Sequence, residues 1–594
     1  MGRAGCGDQL SSQKALIMCG ILGGINAGFD SANLGRLQHR GPDQQCLVRR
    51  EIADIGSVVL GQTRLNIVDR HDIDLPVRID DAAIVFNGEV YNWIELRREL
   101  EDLGWEFQTK TDTEVVLAAY LEWGPDCLER FNGMFALAIW DGRRFFCARD
   151  RLGKKPFFYR CRPGMFEFAS EVKAFDDLEF IGQEVFDLFE FCFDEHTLYR
   201  DVFALRPGHY LVYDPCRGTS HTRCYWDIEH RVGNRITNEK VAVNAFLELM
   251  EDSVRLRLRS DVPVSLFLSG GLDSSLVACL ADVKEVFTCQ FDEFRETINE
   301  EVYVRDLAGR LGFEVNVVRP TREGFLQSLS AMSYHLEIPT GSFSVFPLYC
   351  LSRACREGGY KVVLSGEGAD ELFAGYARNE FLLGEMPDPV DAKKKHYAAM
   401  LRRYHGSDLD RFCRMASRSG LAGAAQLRAY LAGLWSARRS MLENVSYVET
   451  KIFLQPLLQM ADRMTMAHGL EGRCPFLDYR IVEFAFSIDD SLRFRDGTGK
   501  WIVHRAAEKV LPAGAKVLRR QVKDGLATPI NLWMQGRHSF DRKYWNALMT
   551  AECMKSLLCS RPTKRPARRK QRSLVLVASE RSTSDDGGIG RRMR

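Results

Sequence analysis

The stretch Ser265-Leu266-Phe267-Leu268-Ser269-Gly270-Gly271-Leu272-Asp273-Ser274-Ser275 joins an apolar run to a glycine turn and a group of hydroxyls. A short apolar run bounded by a turn predicts a buried strand, and residues 275–282 predict the helix that follows. Backbone N–H groups at such a turn, with the positive end of the helix, form a nest that binds phosphate. The stretch therefore predicts either a phosphate site or an ordinary strand-to-helix turn of an α/β domain.

The kind of phosphate chemistry follows from what the turn lacks. No Gly-Lys-Ser/Thr follows the glycines, so this is not the pattern that holds the β- and γ-phosphates with a lysine. The remaining option is a site that releases pyrophosphate. There, ATP is cut between its α- and β-phosphates and Asp273 holds Mg²⁺.

A second stretch has the same design. Residues 361–364 (KVVL) predict another buried strand, and Ser365-Gly366-Glu367-Gly368-Ala369-Asp370-Glu371 follows it. Ligands of open α/β sheets bind beyond the carboxyl ends of the strands. The motifs SGGLDSS and SGEGADELFAGY together resemble the synthetase half of glutamine-dependent asparagine synthetases, and the resemblance runs from residue 18 to about residue 533.

The resemblance implies roles for these residues. Asp273 and Asp370 would hold Mg²⁺, Glu367 would support formation of an acyl-adenylate, and Lys500 would neutralise charge on the phosphates. Ala374 departs from the family, which usually has glycine there. The ATP-binding set implied by the family is Phe267, Leu268, Ser269, Gly270, Gly271, Leu272, Asp273, Ser274, Cys289, Ser365 and Gly366.

The order of elements around these motifs predicts the fold of this half. Apolar residues at helical spacing between 243 and 258 predict an amphipathic helix that leads into the first strand. Strands at 286–291, 314–318 and 361–364 then alternate with helices near 300–311 and 346–357. This alternation predicts a doubly wound parallel α/β sheet, and the family adds a helical region after it.

The other candidate chemistry begins at Cys19, which starts the small-residue strand CGILGG. A cysteine at a mature N-terminus has its own α-amine beside the thiol, and that amine can act as the activating base. A buried structural thiol is the alternative. The catalytic reading requires residues 1–18 to be a leader that is absent from the active protein. Met18 as initiator or cleavage of a longer precursor would both achieve this, whereas the leader is a poor export signal.

Motifs downstream of Cys19 support the catalytic reading. Residues 39–43 (HRGPD), 61–67 (GQTRLNI), 85–92 (VFNGEVYN) and 111–114 (TDTE) match class II glutamine amidotransferases. That family has an N-terminal-nucleophile hydrolase fold, an αββα sandwich of two stacked sheets between helices. It implies that Arg64 pairs with the α-carboxylate of glutamine, that Asn87 and Gly88 form the oxyanion hole, and that Glu89 and Asp112 hold the glutamine ammonium.

Composition limits the remaining possibilities. With 594 residues, 81 basic and 80 acidic side chains and a net charge of +1, the chain predicts more than one domain and no bulk nucleic-acid partner. The sequence shows no membrane-length apolar run, and its seventeen cysteines form no CxxC pair. These features favour a cytoplasmic location. The expected partners are glutamine, ATP and aspartate or another carboxylate, with a homodimer left open.

The domain prediction joins two active sites in one chain. It has a leader (1–18), a glutaminase domain (19–213), a linker (214–238), a synthetase domain (239–545) and a tail (546–594) that is disordered from about residue 560. The favoured function is transfer of glutamine-derived ammonia to β-aspartyl-AMP, giving asparagine, AMP and pyrophosphate. One alternative keeps both sites but uses another acceptor, such as a surface sugar acid, a peptide or a secondary metabolite. A noncatalytic glutamine-binding or scaffold protein is the other alternative.

Overall fold

A computed structural model describes residues 19–41, 43–69, 73–181, 194–228, 235–296, 299–339, 342–376, 379, 429–430, 432–520, 528–534 and 542–559. The predicted leader and the tail from residue 560 lie outside this part of the chain. The N-terminal half contains twelve strands in the described segments, and they form two six-stranded sheets. The strands are β1 Gly20–Ile25, β2 Gln44–Ile52, β3 Gly56–Arg64, β4 Val77–Ile79, β5 Ala82–Val90, β6 Gly133–Trp140, β7 Phe145–Arg149, β8 Phe158–Arg162, β9 Met165–Ala169, β10 Phe203–Ala204, β11 His209–Asp214 and β12 Thr219–Cys224.

Both sheets are antiparallel. The first has the order β10-β8-β9-β1-β3-β2, and the second has the order β12-β11-β7-β6-β5-β4. Helices cover their outer faces, which makes the predicted αββα sandwich. The helices of this half are α1 Ser31–Gly35, α2 Trp93–Asp102, α3 Asp112–Trp123 and α4 Cys127–Arg130.

The alternating direction of the side chains along β5 and β6 explains why the sheets stack. Successive side chains of a strand point to opposite faces, so an entirely apolar strand can serve two cores. Val85 packs into the core between the sheets, whereas Ile84 and Phe86 pack against α2 and α3. On β6, Ala136 packs into the core between the sheets, and Leu137 packs against the helices. These strands are apolar on both sides because both of their sides are buried.

The second sheet extends further along the chain than the sequence predicts. Strand β12 pairs antiparallel with β11, with His209 opposite Cys224 and Asp214 opposite Thr219. A strand therefore occupies part of the segment 214–238 that was predicted as linker. All six residues of β12 are exposed because it is the edge strand, and its polar sequence hid it from a pattern search for buried strands.

A five-stranded parallel sheet organises the C-terminal half. Its strands are β13 Val264–Phe267, β14 Glu285–Cys289, β15 Glu314–Val318, β16 Val362–Leu364 and β17 Glu471–Arg473, in the order β15-β14-β13-β16-β17. A short hairpin, β18 Phe494–Arg495 and β19 Thr498–Gly499, lies apart from it. The chain winds from β13 to one edge and returns to the other side of β13. The motifs after β13 and β16 therefore meet at the switch point of the sheet.

Helices cover both faces of this sheet, as a doubly wound fold requires. Leu266 and Leu364 face one apolar core, and Phe287 and Val363 face the other. A π-helical turn, Glu449–Phe453, lies between two of the helices. The helices are α5 Glu239–Arg257, α6 Leu272–Leu280, α7 Glu301–Leu311, α8 Arg322–Leu336, α9 Val345–Glu357, α10 Ala369–Leu372, α11 Met441–Val448, α12 Leu454–Met466, α13 Tyr479–Ser487, α14 Asp490–Arg493, α15 Trp501–Val510, α16 Ile530–Met534 and α17 Arg542–Cys559.

No helix among the residues described above is long and apolar enough to cross a membrane.

Candidate active sites

The glycine turn after β13 is held by its own hydroxyls. Ser274 Oγ accepts from the Ser269 N–H at 3.2 Å and lies 3.1 Å from Ser269 Oγ. Helix α6 begins at Leu272, three residues before the predicted start, because Gly271 takes the extended N-cap conformation. Asp273 and Ser274 consequently lie in the first helical turn, where the helix end favours anions.

The charged centre of this site is a lysine between two carboxylates. Lys500 Nζ lies 2.7 Å from Asp273 Oδ2 and 2.6 Å from Asp370 Oδ1. Burial opposes the ammonium charge, but these two carboxylates raise the pKa of Lys500 above its usual value. Lys500 is therefore cationic at neutral pH, as its predicted role requires.

The backbone around Lys500 is tightly constrained. Lys500 has a φ of +57° and donates its N–H to the Phe373 carbonyl at 2.7 Å. Ala374 has the same φ of +57°, a conformation that an L-residue adopts at a cost and glycine adopts freely. The backbone at position 374 would therefore suit glycine, the residue that the resemblance leads us to expect there, better than alanine.

The predicted Mg²⁺ ligands come together, and their chemistry suits the ion. Asp273 Oδ1 is buried and has no hydrogen-bond partner among the described residues. Mg²⁺ is commonly held by one or two carboxylates together with substrate phosphates. Within the same residues, no group of three or more His, Cys, Asp or Glu side chains could hold a metal alone. Asp273 and Asp370 would therefore share the ion with the phosphates of ATP.

The loop after β16 contacts the glycine turn directly. A Cβ added at Gly366 would lie 2.7 Å from the Ser274 nitrogen, so the two loops touch at that point. Ser365 and Glu367 both contact Cys474, whose Sγ lies 3.4 Å from Ser365 Oγ and 3.5 Å from Glu367 Oε2. Burial raises the pKa of Glu367 to about 7, so this carboxyl can exchange a proton near neutral pH.

The apolar side chains and Cys289 of the predicted ATP-binding set divide between two faces of the sheet. Phe267 and Cys289 pack at the ends of neighbouring strands on one face. The side chains of Leu268 and Leu272 are buried in the core of the opposite face. Leu268 and Leu272 therefore support the turn through packing, and only their backbone can face a nucleotide.

Sequence reasoning missed three residues at the glycine turn, Arg520, Glu300 and Tyr303. Arg520 Nη1 donates to the Gly270 carbonyl at 3.0 Å, and its Nη2 lies 2.8 Å from Glu300 Oε1. The guanidinium also lies over the Tyr303 ring, 4.5 Å from its centroid. Arg520 lies 250 positions after Gly270, and no local pattern could have linked them.

In the N-terminal half, Cys19 directly precedes β1, and Asn87 lies on β5 of the stacked sheet. The Ser170 hydroxyl contacts both strands. Ser170 Oγ accepts from the Ile21 N–H at 3.0 Å and lies 3.4 Å from Asn87 Nδ2. The Cys19 carbonyl accepts from Arg40 Nε at 3.3 Å. Burial raises the pKa of the Cys19 thiol to about 11, although the backbone of Leu65 and the charge of Arg64 act in the opposite direction. The thiol therefore needs a base for activation.

Gly88 lies where only glycine can be accommodated. Its φ is +144°, and an added Cβ would lie 2.0 Å from the Met134 carbonyl oxygen on β6. The Asn87 Oδ1 atom, which is a hydrogen-bond acceptor, is buried without a partner in the described part of the chain, and the Nδ2 donor has the 3.4 Å contact with Ser170 Oγ. Asn87 Nδ2 and the Gly88 N–H are the two donors that the predicted oxyanion hole would use.

The residues predicted to bind glutamine lie near one another and near Cys19. Arg64 ends β3 and donates Nη2 to the carbonyls of Val68 and Asp69 at 3.2 and 2.7 Å. Asp112 begins α3 and accepts from the Val90 N–H at 2.9 Å. Burial, with Asp112 nearby, raises the pKa of Glu89 well above its usual value. Burial raises that of Asp112 to about 6. Two crowded carboxylates of this kind favour a cationic ligand group.

Buried ion pairs join the two halves beside this pocket. Arg40 contacts both carboxylate oxygens of Asp462, at 2.8 and 3.0 Å, and Glu171 Oε1 at 2.7 Å. Arg463 of the C-terminal half contacts Glu171 of the N-terminal half at 2.7 Å. It also contacts Glu337 of its own half at 2.9 Å. The partners in this cluster are nine-tenths or more buried, so the two halves meet through a desolvated ionic interface.

Comparison with known proteins finds two matching domains in the chain. A family model described as asparagine synthase matches residues 245–557, and one described as a glutamine amidotransferase domain matches residues 18–226. Asparagine synthetase [glutamine-hydrolyzing] 1 of Bacillus subtilis is 32% identical over 542 residues, covering 84% of this chain and 83% of that protein. A putative asparagine synthetase of Mycobacterium tuberculosis is 31% identical and covers 89% and 90%. Amidase chry2 of Gibberella zeae is 26% identical and covers 86% and 85%.

Proposed function

Because the chain belongs to the asparagine synthase family and contains a glutamine amidotransferase domain, we propose that it is a glutamine-hydrolysing asparagine synthetase. Its general chemistry is ATP-dependent amide synthesis with glutamine as the nitrogen donor. The observation that carries the proposal is the Asp273–Lys500–Asp370 cluster at the meeting point of the two loops. We further propose that the glutaminase domain begins at Cys19 and that a segment ending near residue 238 joins it to the synthetase domain.

The glutaminase step follows from the groups around Cys19. The Cys19 α-amine takes the thiol proton, and the sulfur attacks the side-chain carbonyl of glutamine. Asn87 Nδ2 and the Gly88 N–H donate to the oxyanion that forms, a device worth about 3 kcal/mol per donor. The C–N bond then breaks, ammonia leaves with the proton from the amine, and water hydrolyses the thioester to glutamate. Arg64, Glu89 and Asp112 hold the α-carboxylate and the ammonium of glutamine.

The synthetase step uses the two loops of the parallel sheet. A β-carboxylate oxygen of aspartate attacks the α-phosphorus of ATP, and pyrophosphate leaves. Lys500 neutralises charge on the departing phosphates, and the N–H groups of the turn from Ser269 to Ser274 hold them. Bound Mg²⁺ would supply further charge stabilisation to the phosphates, held by Asp273 and Asp370. Ammonia then attacks the acyl carbon and AMP leaves, while Glu367 is placed to accept the surplus proton.

Ammonia must reach the adenylate without entering bulk water, because in neutral water it is protonated and loses its nucleophilic lone pair. The buried contacts between the halves support such a route. Lys154 Nζ of the first half donates to the Leu477 carbonyl of the second half at 3.0 Å. Asn132 Nδ2 lies 2.9 Å from Asp478 Oδ2 across the same interface.

A different carboxylate acceptor is the second candidate. The relatives include proteins named amidases, which cover as much of this chain as several of the synthetases do. The predicted glutamine and ATP residues would serve any such acceptor, so they do not distinguish aspartate from other carboxylates.

An acceptor screen tests the proposal. Protein that begins at Cys19 is supplied with glutamine, ATP and Mg²⁺ and with aspartate, glutamate, a sugar acid or a short acidic peptide, one at a time. Release of pyrophosphate and formation of the amide are measured together. We expect both with aspartate. Cys19→Ala should abolish synthesis from glutamine and keep synthesis from ammonia, because the two sites carry separate chemistry.

Two results would contradict the proposal. Pyrophosphate release with another carboxylate but not with aspartate would replace the acceptor and keep the two-site mechanism. A lack of pyrophosphate release with every acceptor, in a protein that binds glutamine, would favour a noncatalytic role.

A further inference from the structure

Strand β17 reaches both active sites. It is the edge strand of the parallel sheet and pairs with β16, with Leu364 opposite Arg473. Its side chains also enter the glutaminase domain. Glu471 Oε2 lies 3.9 Å from Lys155 Nζ, and Arg473 lies over the Tyr91 ring, 5.3 Å from its centroid. One strand of three residues therefore contacts both halves of the chain.

The Arg473 side chain is held so that one nitrogen remains available. Nε donates to Glu471 Oε1 at 2.7 Å, and Nη1 donates to the carbonyls of Arg257 and Arg259, both at 2.7 Å. Nη2 is fully buried and makes no hydrogen bond to any described residue. It lies 3.7 Å from Glu89 Oε1, one of the carboxylates proposed to hold the glutamine ammonium.

The backbone of the same residue contacts the acceptor loop. The Arg473 carbonyl accepts from the Ser365 N–H at 3.0 Å. The next residue, Cys474, contacts Ser365 and Glu367 through its thiol, at 3.4 and 3.5 Å. The side chain of Arg473 therefore contacts Glu89 while its backbone holds the loop that carries Glu367, which gives a continuous physical connection between the two sites.

We propose that Arg473 is a positioning residue that favours the ionised form of Glu89 and holds it toward the glutamine ammonium, and that strand β17 thereby links glutamine occupancy to the acceptor loop. The inference rests on the proposed glutaminase function and names a residue outside the glutamine-binding set. Its physical basis is electrostatic. Without a nearby cation, a buried carboxyl becomes neutral and loses its attraction for an ammonium group.

The charged groups around Glu89 determine whether its pKa rises or falls when the charge of Arg473 is removed. Asp112 and Glu471 disfavour its ionisation, whereas Arg473 and Lys155 favour it. Cys19 and Tyr91 also lie close enough to feel these charges. Removal of the Arg473 charge raises the pKa of Glu89 further, so a larger fraction of the enzyme carries neutral Glu89 at neutral pH. A shift of one pKa unit would weaken glutamine binding about tenfold on the acid side.

The test compares Arg473→Met with Arg473→Lys, which keeps the charge. Glutaminase kcat and KM are measured from pH 5.5 to 9, and ammonia-dependent synthesis is measured in parallel to show that each variant is folded. For Arg473→Met we expect a rise of about tenfold in the glutamine KM at neutral pH and an acid limb of kcat/KM displaced to higher pH. For Arg473→Lys we expect an acid limb close to that of the wild type. A purely structural role would lower kcat in both variants without moving the limb.

A second measurement tests the link to the acceptor loop. In the wild type, MgATP with acceptor should lower the glutamine KM, and in Arg473→Met this response should be lost. If Arg473→Met does not fold, the same comparison is made with Arg473→Lys and with Glu89→Gln, whose pH profile should lose the acid limb. An unchanged KM and pH profile in folded Arg473→Met, or in Glu89→Gln where Arg473→Met does not fold, would refute the inference alone. A wild type that hydrolyses no glutamine would refute the proposed function and the inference with it.

Discussion

At the scale of single residues, the synthetase site is defined by charges that neutralise one another. Lys500 lies between Asp273 and Asp370 and neutralises the two carboxylates, a role that a bound cation could otherwise fill. Asp273 is 3% exposed, so its charge cannot be solvated if its partner moves away. When MgATP binds, the positive charges that neutralise Asp273 must therefore change.

The first prediction concerns this carboxylate. Asp273→Asn should lower pyrophosphate release by at least about a hundredfold with glutamine or with ammonia, because the loss of one buried charge contact costs about 3 kcal/mol or more. Pyrophosphate release under saturating ATP is the measurement. Asp282→Asn, at an exposed position just beyond α6, is the matched control and should behave like the wild type. Normal ATP turnover in Asp273→Asn would contradict the role of this residue.

The site residues that sequence could predict are those that lie together in short motifs. Asp273 and Glu367 each follow a strand within a run of small residues, so their positions at the sheet edge followed from topology. Arg473 and Arg520 could not be identified in this way. Their partners lie in other segments, Glu89 in one case and Gly270 in the other, and only the packing of helices and domains brings them together.

At the scale of elements, patterns of burial carried most of the prediction. Two parallel-sheet strands were expected at 286–291 and 314–318, and the structure has them at Glu285–Cys289 and Glu314–Val318, because both are apolar and bounded by turns. The exposed strand β12 was not recognised because its polar residues have no buried face to create a pattern. The polar strand β17 was also missed: its three residues are charged or small, and they are buried through ion pairs instead of apolar contact.

The second prediction concerns the turn after α10. An added Cβ at Gly375 would lie 2.0 Å from Lys500 Cε and 2.2 Å from Asp370 Oδ1, so Gly375→Ala must displace the lysine from its carboxylates. We expect ammonia-dependent synthesis to fall by at least about tenfold while glutamine hydrolysis is kept, since a misplacement of about 1 Å can cost a hundredfold in rate.

Gly309→Ala is the control for this variant. Gly309 lies within α7, and an added Cβ there meets nothing within 4 Å. Replacement of a helical glycine by alanine should leave synthesis unchanged and raise stability by up to about 1 kcal/mol. Equal loss of activity in both variants would remove the steric explanation.

At the scale of the whole molecule, the two halves are joined by buried charges. Asp478, after β17, contacts Arg257 at 3.0 Å, Arg480 at 2.9 Å and Asn132 of the glutaminase half at 2.9 Å. Burial disfavours its charge, but Arg257 and Arg480 hold the pKa of Asp478 well below its usual range. A carboxyl with a depressed pKa stabilises the fold above its unfolded pKa and loses this contribution as the pH falls.

The third prediction follows from the loss of this stabilisation as the pH falls. Asp478→Asn should lower the free energy of unfolding at pH 7 by about 3 kcal/mol, because Arg257 is left buried with a neutral partner. The difference from the wild type should narrow as the pH falls below about 4, where the unfolded chain binds the proton. Urea unfolding at pH 7, 4 and 3 measures it. The exposed Asp102→Asn serves as control, and a difference independent of pH would show that Asp478 acts through packing alone.

The ionic interface also limits how this chain could be recombined with its relatives. Arg40 belongs to one half and its partner Asp462 to the other, and each is buried where water cannot replace the missing charge. A glutaminase half expressed alone, or grafted onto a synthetase half that lacks matching carboxylates, would carry Arg40 and Glu171 into an incompatible surface. A chimaera that folds must therefore take both sides of the interface from the same parent. The residues that form the ion pairs, and not the linker, decide where two relatives can be joined.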